Sequence, residues 1–276
     1  MRSLRAIAAV LLLAPLAVAA EESVPIPAFR GPVVEIVPEQ KGPRRAIRFL
    51  TSSDYPPFQF LKPDLNPAGF NVDLARVICD ELEYSCTIQA VNWDELMPAL
   101  ENGRADALIA GLRPSADLRA KAGVTRPYFR LPARFAVKRG GAAPDLTPEG
   151  LAGKRIAVAA GTAHEAFLKT YFPDSDVAGF PDIEQARAAL KDGKADALFA
   201  DGVGLSLWLS GTESAECCAF AGGPYYESHF FGEGLVIAVR KGDERLRQDL
   251  DRALDGVEEK GELADLYLRW FPIGIF

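Results

Sequence analysis

The sequence predicts an α/β protein of two similar lobes, each a mostly parallel sheet covered by helices. Three observations carry this. From residue 46 onward, apolar runs of strand length alternate with stretches of helical period. A ten-residue unit then recurs ninety residues later: Ala99-Leu100-Glu101-Asn102-Gly103-Arg104-Ala105-Asp106-Ala107-Leu108 matches Ala189-Leu190-Lys191-Asp192-Gly193-Lys194-Ala195-Asp196-Ala197-Leu198. Finally, an apolar run at 235–239 and a helical region at 243–271 are too little for a third domain. If they rejoin the first lobe, the chain crosses between lobes twice, near 134–138 and near 230–234, and two crossings make a hinge.

The elements follow in order. Residues 47–51 read as a buried strand, and 54–58, with Pro56 and Pro57, as a loop. Residues 69–73 lead into a helix whose apolar face holds Leu74, Val77, Ile78 and Leu82. A strand is expected at 86–91 and a helix at 93–100, stopped by Gly103, before a buried strand at 105–110. The second lobe repeats the scheme, with a strand at 155–160, a helix opening at 161–164 and a strand at 195–200. The resulting boundaries are 46–133 with 232–276 for the first lobe and 134–231 for the second.

The N-terminus is a separate object. Arg2 and Arg5 precede an apolar stretch at 6–19, and Val18-Ala19-Ala20 fits a small-residue cleavage site. Residues 1–20 are therefore read as a secretory signal peptide. Residues 21–45 carry Pro25, Pro27, Pro32, Pro38 and Pro43 without helical period, and read as an extended N-terminal leader. Export permits disulfides. Cys79 and Cys86 flank a helix end, which suits a local bridge; Cys217 and Cys218 are adjacent, and either a bridge between neighbours or two buried thiols fits. A net charge of -7 without a basic stripe argues against a nucleic-acid partner. With two histidines and no Cys/His spacing, no metal or other cofactor is expected.

In open α/β sheets, ligands sit outside the carboxyl ends of the strands. That rule selects Ser52, Ser53, Asp54 and Tyr55 after the first strand, and Gly111, Leu112 and Arg113 after the strand at 105–110. In the second lobe it selects Gly161-Thr162-Ala163-His164 and Asp201. Gly161 lets backbone approach a ligand closely, and Thr162 opens a helix whose N–H groups favour an anion or simply caps it. Arg119 offers a guanidinium fork to a carboxylate, or is simply solvated, with Arg113 and Arg126 nearby. Asp201 suits an ammonium group or a turn before Gly202. Tyr55 and Trp93 suit an apolar stem, or core packing.

At these residues the sequence resembles the bacterial extracellular solute-binding proteins, family 3, the periplasmic receptors of polar amino-acid ABC transporters. The carriers are Tyr55-Pro56-Pro57-Phe58, Gly69-Phe70-Asn71-Val72-Asp73-Leu74-Ala75, Trp93-Asp94-Glu95-Leu96-Met97-Pro98-Ala99-Leu100, Arg119-Ala120-Lys121 with Pro127-Tyr128, Gly153-Lys154-Arg155-Ile156-Ala157-Val158 with Gly161-Thr162, and Ala195-Asp196-Ala197. The resemblance implies a type II periplasmic-binding-protein fold. It assigns the ligand's α-carboxylate to Arg119 and its α-ammonium to Asp201. Tyr55 and Trp93 would pack on the ligand, Gly111 and Thr162 would bond it, and Cys79–Cys86 would be a disulfide. Two departures stand out: Arg113 lies where members usually carry Ser or Thr, and Ala163 where a second Thr or Ser is common. An extra guanidinium suits a second anionic group, while Ser52, where binders of basic amino acids often place an aspartate, weakens a basic ligand.

The expected function is capture of a small polar solute, an amino acid or related carboxylate, by closure of two lobes. The protein would be a periplasmic monomer that delivers ligand to ABC permease subunits in the inner membrane. It is expected not to be an enzyme. The alternatives are a ligand-sensing or accessory periplasmic protein, and a dehydratase of the kind that acts on prephenate or arogenate.

Overall fold

The structure, a computed structural model, describes residues 45–141, 145–271 and 273–276. The expected signal peptide and nearly all of the proline-rich leader lie outside the described residues. The first lobe opens with β1 (Ala46–Thr51) and a small three-stranded sheet of β2 (Asp54–Tyr55), β3 (Gln59–Leu61) and β4 (Pro67–Ala68). Residues 54–58, expected to be loop, thus begin in a strand and turn through a cis Pro56-Pro57 bond. Then follow α1 (Phe70–Glu81), β5 (Ser85–Ala90), α2 (Trp93–Glu101), β6 (Ala107–Leu112), α3 (Ala116–Lys121) and β7 (Ala122–Val124).

The second lobe holds β8 (Ala133–Lys138), β9 (Arg155–Ala159), α4 (Ala163–Tyr171), β10 (Asp176–Phe180), α5 (Ile183–Lys191), β11 (Ala197–Asp201), α6 (Gly202–Ser210), β12 (Cys218–Tyr225) and the short α7 (Ser228–Phe231). The chain closes with β13 (Val236–Arg240), α8 (Glu244–Glu259) and α9 (Glu262–Trp270). The helical region expected at 243–271 is therefore two helices, parted at Gly261 with φ 78.

Two five-stranded sheets result, in the orders β5-β1-β6-β13-β7 and β10-β9-β11-β8-β12. The βαβ strands run parallel, but β13 and β8 each enter antiparallel to their neighbours. Those two strands are the first ones after each change of lobe, so each sheet is mixed rather than mostly parallel. The crossings occupy 125–132 and 226–235. The first lies just ahead of the expected 134–138, which is β8 itself. The crossings also pair with each other: Leu235 N–H donates to Phe129 O at 2.7 Å, and Tyr128 N–H to Leu235 O at 2.9 Å.

Burial on both faces explains the apolar strands. Along β1, Ile47 and Phe49 face the core under α1, α8 and α9, while Leu50 faces the one under α2. Along β11, Ala197 and Phe199 pack toward α4, and Leu198 and Ala200 toward α5 and α6. The repeated ten-residue unit has one physical job in both lobes. Gly103 and Gly193 stop their helices at φ 70 and 74. Asp106 then accepts the Arg48 N–H at 2.9 Å, and Asp196 accepts the Arg155 N–H at 2.8 Å, so each carboxylate ties down the start of the neighbouring parallel strand.

Cys79 and Cys86 form a disulfide joining the end of α1 to β5. The question left open by the adjacent cysteines is settled: Cys217 and Cys218 are also bonded to each other. After α9, residues 273–276 reach across both lobes. Ile273 packs against the second-lobe core, and Ile275 is fully buried in the first-lobe core.

Candidate functional site

Both halves of the expected site lie at carboxyl ends of strands. Tyr55 sits in β2, four residues past β1, and its ring rests on Gly111 in β6. Gly111 has φ 71, and a Cβ there would lie 2.9 Å from Tyr55 Cδ1, so a larger residue would displace the ring. Arg113 follows β6 directly and lies beside the Tyr55 hydroxyl. From the other lobe, Asp201 ends β11 and caps α6, accepting the Gly204 N–H at 2.8 Å. Burial pushes the Asp201 carboxyl above the usual carboxylate range; the Gly204 N–H, Arg113 and Arg187 pull the other way. The Tyr55 hydroxyl is likewise raised by burial and by Asp201, and lowered by Arg113.

His164, the second residue of α4, joins this group. Its ring stacks on Phe231 at 5.1 Å and meets the edge of Phe199 at 5.9 Å. Burial, and then the positive charge of Arg113, lower its pKa to about 4, so the imidazole is neutral near pH 7. Tyr55 and Arg113 from one lobe and Asp201 and His164 from the other thus share one electrostatic neighbourhood. Sequence reasoning gave His164 no role. Its signal was its place, in the first turn of a helix that starts at a strand's carboxyl end.

The other expected residues have separate partners. Arg119 is half exposed on α3, and its guanidinium pairs at 2.7 Å with Glu233 in the second crossing. Among the described residues no bond or ion pair joins it to Tyr55, Arg113 or Asp201. Thr162 is the N-cap of α4: its Oγ1 accepts the Glu165 N–H at 3.3 Å and donates to Ala159 O at 2.7 Å. Gly161 N–H donates to the Glu165 carboxylate at 2.8 Å, so this helix start already has an anion of its own. Trp93 opens α2 at the carboxyl edge of β5 and is 49% exposed. Among the described residues there is no cluster of three or more His, Cys, Asp or Glu suited to a metal ion.

Beneath the first-lobe wall lies a row of buried polar groups. Tyr128 O–H donates to Asn71 Oδ1 at 2.8 Å, Asn71 Nδ2 to Gln59 Oε1 at 2.7 Å, and Gln59 Nε2 to Ser52 Oγ at 3.0 Å. A recess of about 590 Å³, lined by Phe167, Tyr171, Phe172 and Tyr225 on the second lobe, shares no residue with this site.

Comparison with known proteins agrees with this fold. The model of the bacterial extracellular solute-binding proteins, family 3, matches residues 47–273. The chain belongs to that family. It is 31% identical to the putative ABC transporter arginine-binding protein 2 of Escherichia coli K12, over 82% of this chain and 90% of that one. It is 28% identical to the L-arginine-binding protein of Pseudomonas aeruginosa, over 84% and 90%. Among solved structures, an ancestral cationic amino acid solute binding protein superposes with a TM-score of 0.61 at 26% identity, over 82% of this chain and 95% of that one.

Proposed function

We propose that this family 3 protein is the periplasmic receptor of an ABC transporter and captures a small zwitterion, an amino acid or a close relative, between its lobes. One observation carries the reading: a guanidinium, Arg113, and a carboxylate, Asp201, come from different lobes into one neighbourhood at strand carboxyl ends. Arg113 takes the ligand's carboxylate and Asp201 its ammonium. A ligand bound by both lobes favours the state in which both sets of contacts are made, which closes the hinge. The closed surface then engages a permease in the membrane. No bond needs to be broken, so the chain is read as a binding protein and not as an enzyme.

A thermal-shift screen of the L-amino acids and of simple dicarboxylates tests this. A ligand at a hundred times its Kd stabilises the fold by about 2.7 kcal/mol, a rise in Tm of roughly 5–10 °C. No shift with any amino acid would overturn the reading. Turnover of prephenate would instead favour the dehydratase alternative.

A further inference from the structure

Asp201 has a second guanidinium beside it, from its own lobe. Arg187 lies on α5, and its Nη2 donates to Gly204 O at 2.9 Å. The N–H of that same Gly204 donates to Asp201 Oδ1 at 2.8 Å. Gly204, in the first turn of α6, therefore holds the carboxylate by its N–H and the guanidinium by its carbonyl. The two side chains also stand close together. Asp201 Oδ1 and Arg187 Nη2 lie 3.5 and 3.6 Å from one point, the place where a Cβ of Gly204 would be. One turn further along α6, the Arg187 guanidinium lies over the Trp208 ring, 5.7 Å from its centroid. Trp208 is part of the second-lobe core. Contacts with two residues four apart on α6 hold the guanidinium against that helix.

Among the described residues Arg187 is in no ion pair, and its Nε is buried without a hydrogen-bond partner. The carboxylates that act on it are Glu184 on α5, Glu213 beyond α6, and Asp201. Glu184 and Glu213 are exposed, so water screens them; Asp201 is screened less. Around Asp201 stand Arg113 and the Tyr55 hydroxyl from the first lobe, and Arg187 with the Val203 and Gly204 N–H groups from the second. The pull of Arg113 changes as the lobes move. That of Arg187 does not, because it shares a lobe with Asp201.

We infer that Arg187 is the positioning residue of the ammonium subsite: through Gly204 it fixes where the Asp201 carboxylate stands, and through its charge it keeps that carboxylate ionised whether the lobes are open or closed. Arg187 touches no ligand in this role. The inference rests on the receptor reading and supplies what makes Asp201 fit for an ammonium. Burial alone disfavours the charged carboxylate, and a neutral carboxyl holds a cation poorly. A guanidinium stays protonated, so its support does not fade within the working pH range. Without it, Asp201 would take up a proton at a higher pH, and binding would become sensitive to mild acid. His164, in the same neighbourhood, has its pKa at about 4 and stays largely neutral between pH 5 and 7.5.

Two measurements on the full chain test the inference, each on wild type, Arg187→Gln and Arg187→Lys. The first needs no ligand. Carbon-13 NMR of aspartate-labelled protein follows the Asp201 carboxyl through its titration, its resonance identified by its loss in Asp201→Asn. Asp201 should titrate at a higher pH in Arg187→Gln than in wild type, and close to wild type in Arg187→Lys, which keeps the charge. The second is calorimetry with L-glutamine, L-arginine and L-leucine at pH 7.5 and pH 5. The loss of affinity between the two pH values should be roughly 3- to 30-fold larger in Arg187→Gln than in wild type, and Arg187→Lys should restore most of it. Should Arg187→Gln fail to fold, Arg187→Met, which keeps an apolar stem beside Trp208, takes its place with the same expectation. An Asp201 titration that is the same in all three proteins, or a loss of affinity in Arg187→Gln that is equal at both pH values, overturns the inference and leaves the receptor reading intact. A wild type that binds none of the amino acids brings down the receptor reading, and this inference with it.

Discussion

Arg113, one residue past β6, and Asp201, the last residue of β11, act on each other across the junction of the two lobes. Each is anchored to its own sheet, so their separation reports the hinge rather than side-chain freedom. A zwitterion placed between them makes each end of its charge pay off only when the lobes approach.

Asp201→Asn isolates the charge from the fold. Asparagine caps helices about as well as aspartate, so the bond to Gly204 N–H is retained and Tm should change little. Affinity for an amine-bearing ligand should fall by roughly 30-fold or more, as when one partner of a buried charged pair is removed. Calorimetry alongside a thermal melt checks this. Unchanged affinity would remove Asp201 from the site.

Two arginines compete for the carboxylate role, and they separate cleanly. Arg119 pairs with Glu233, and both side chains are at least half exposed, so the pair contributes only about 0–1 kcal/mol to stability. Arg119→Met should alter ligand affinity less than about 5-fold, an effect of that same size. Arg113→Met should weaken carboxylate ligands by roughly 10-fold or more. The opposite ranking would restore the role that family resemblance gives to Arg119.

The two lobes were legible because helix stops and buried strands leave local signals. Gly103, Gly193 and the aspartates after them mark both sheets in ten residues each. The strand-end rule likewise reached Tyr55, Arg113 and Asp201, since it needs only strand positions. What sequence spacing did not carry was side-chain direction. Whether Arg113 or Arg119 turns inward depends on α3, whose Leu118 is buried in the core while Arg119 faces outward to Glu233. In the row from Tyr128 to Ser52, the Tyr128–Asn71 bond alone spans 57 positions, which no local pattern links.

His164 predicts a pH dependence with a definite sign. Its pKa in the folded protein, about 4, lies below the ordinary histidine value of 6.5. The unfolded chain therefore takes up the proton first as pH falls. Stability from this group is intact above about pH 6.5 and is lost as pH falls toward 4, by roughly 3 kcal/mol in all. Asp201 works in the opposite direction, because burial raises its pKa and its protonation favours the folded state. Urea unfolding of wild type and His164→Gln at pH 7, 5.5 and 4 separates the two groups. The wild type should lose stability faster than the variant over this range. Parallel losses would mean that the imidazole is not held neutral by burial.

The segment after α9 predicts a stability effect shared by both lobes. Ile275 N–H donates to the Tyr267 hydroxyl at 2.6 Å, and Ile275 O accepts from Arg134 Nη1 at 2.8 Å. Ile273 O accepts from Ser206 Oγ at 2.9 Å. Tyr267 belongs to the first lobe, and Arg134 and Ser206 to the second, so four residues hold the two together. Arg134 is only 6% exposed and sits over the Phe220 ring. Deleting 273–276 exposes the pocket of Ile275, a loss of about 1.5–3 kcal/mol, and takes an acceptor from a buried guanidinium, a further 1–3 kcal/mol. Tm should drop by roughly 5–20 °C. Ile275→Ala keeps the carbonyl and should cost about 2–5 kcal/mol by truncation alone. If the deletion is no worse than Ile275→Ala, the bond from Arg134 adds nothing, and the segment acts as core filling rather than as a tie between lobes.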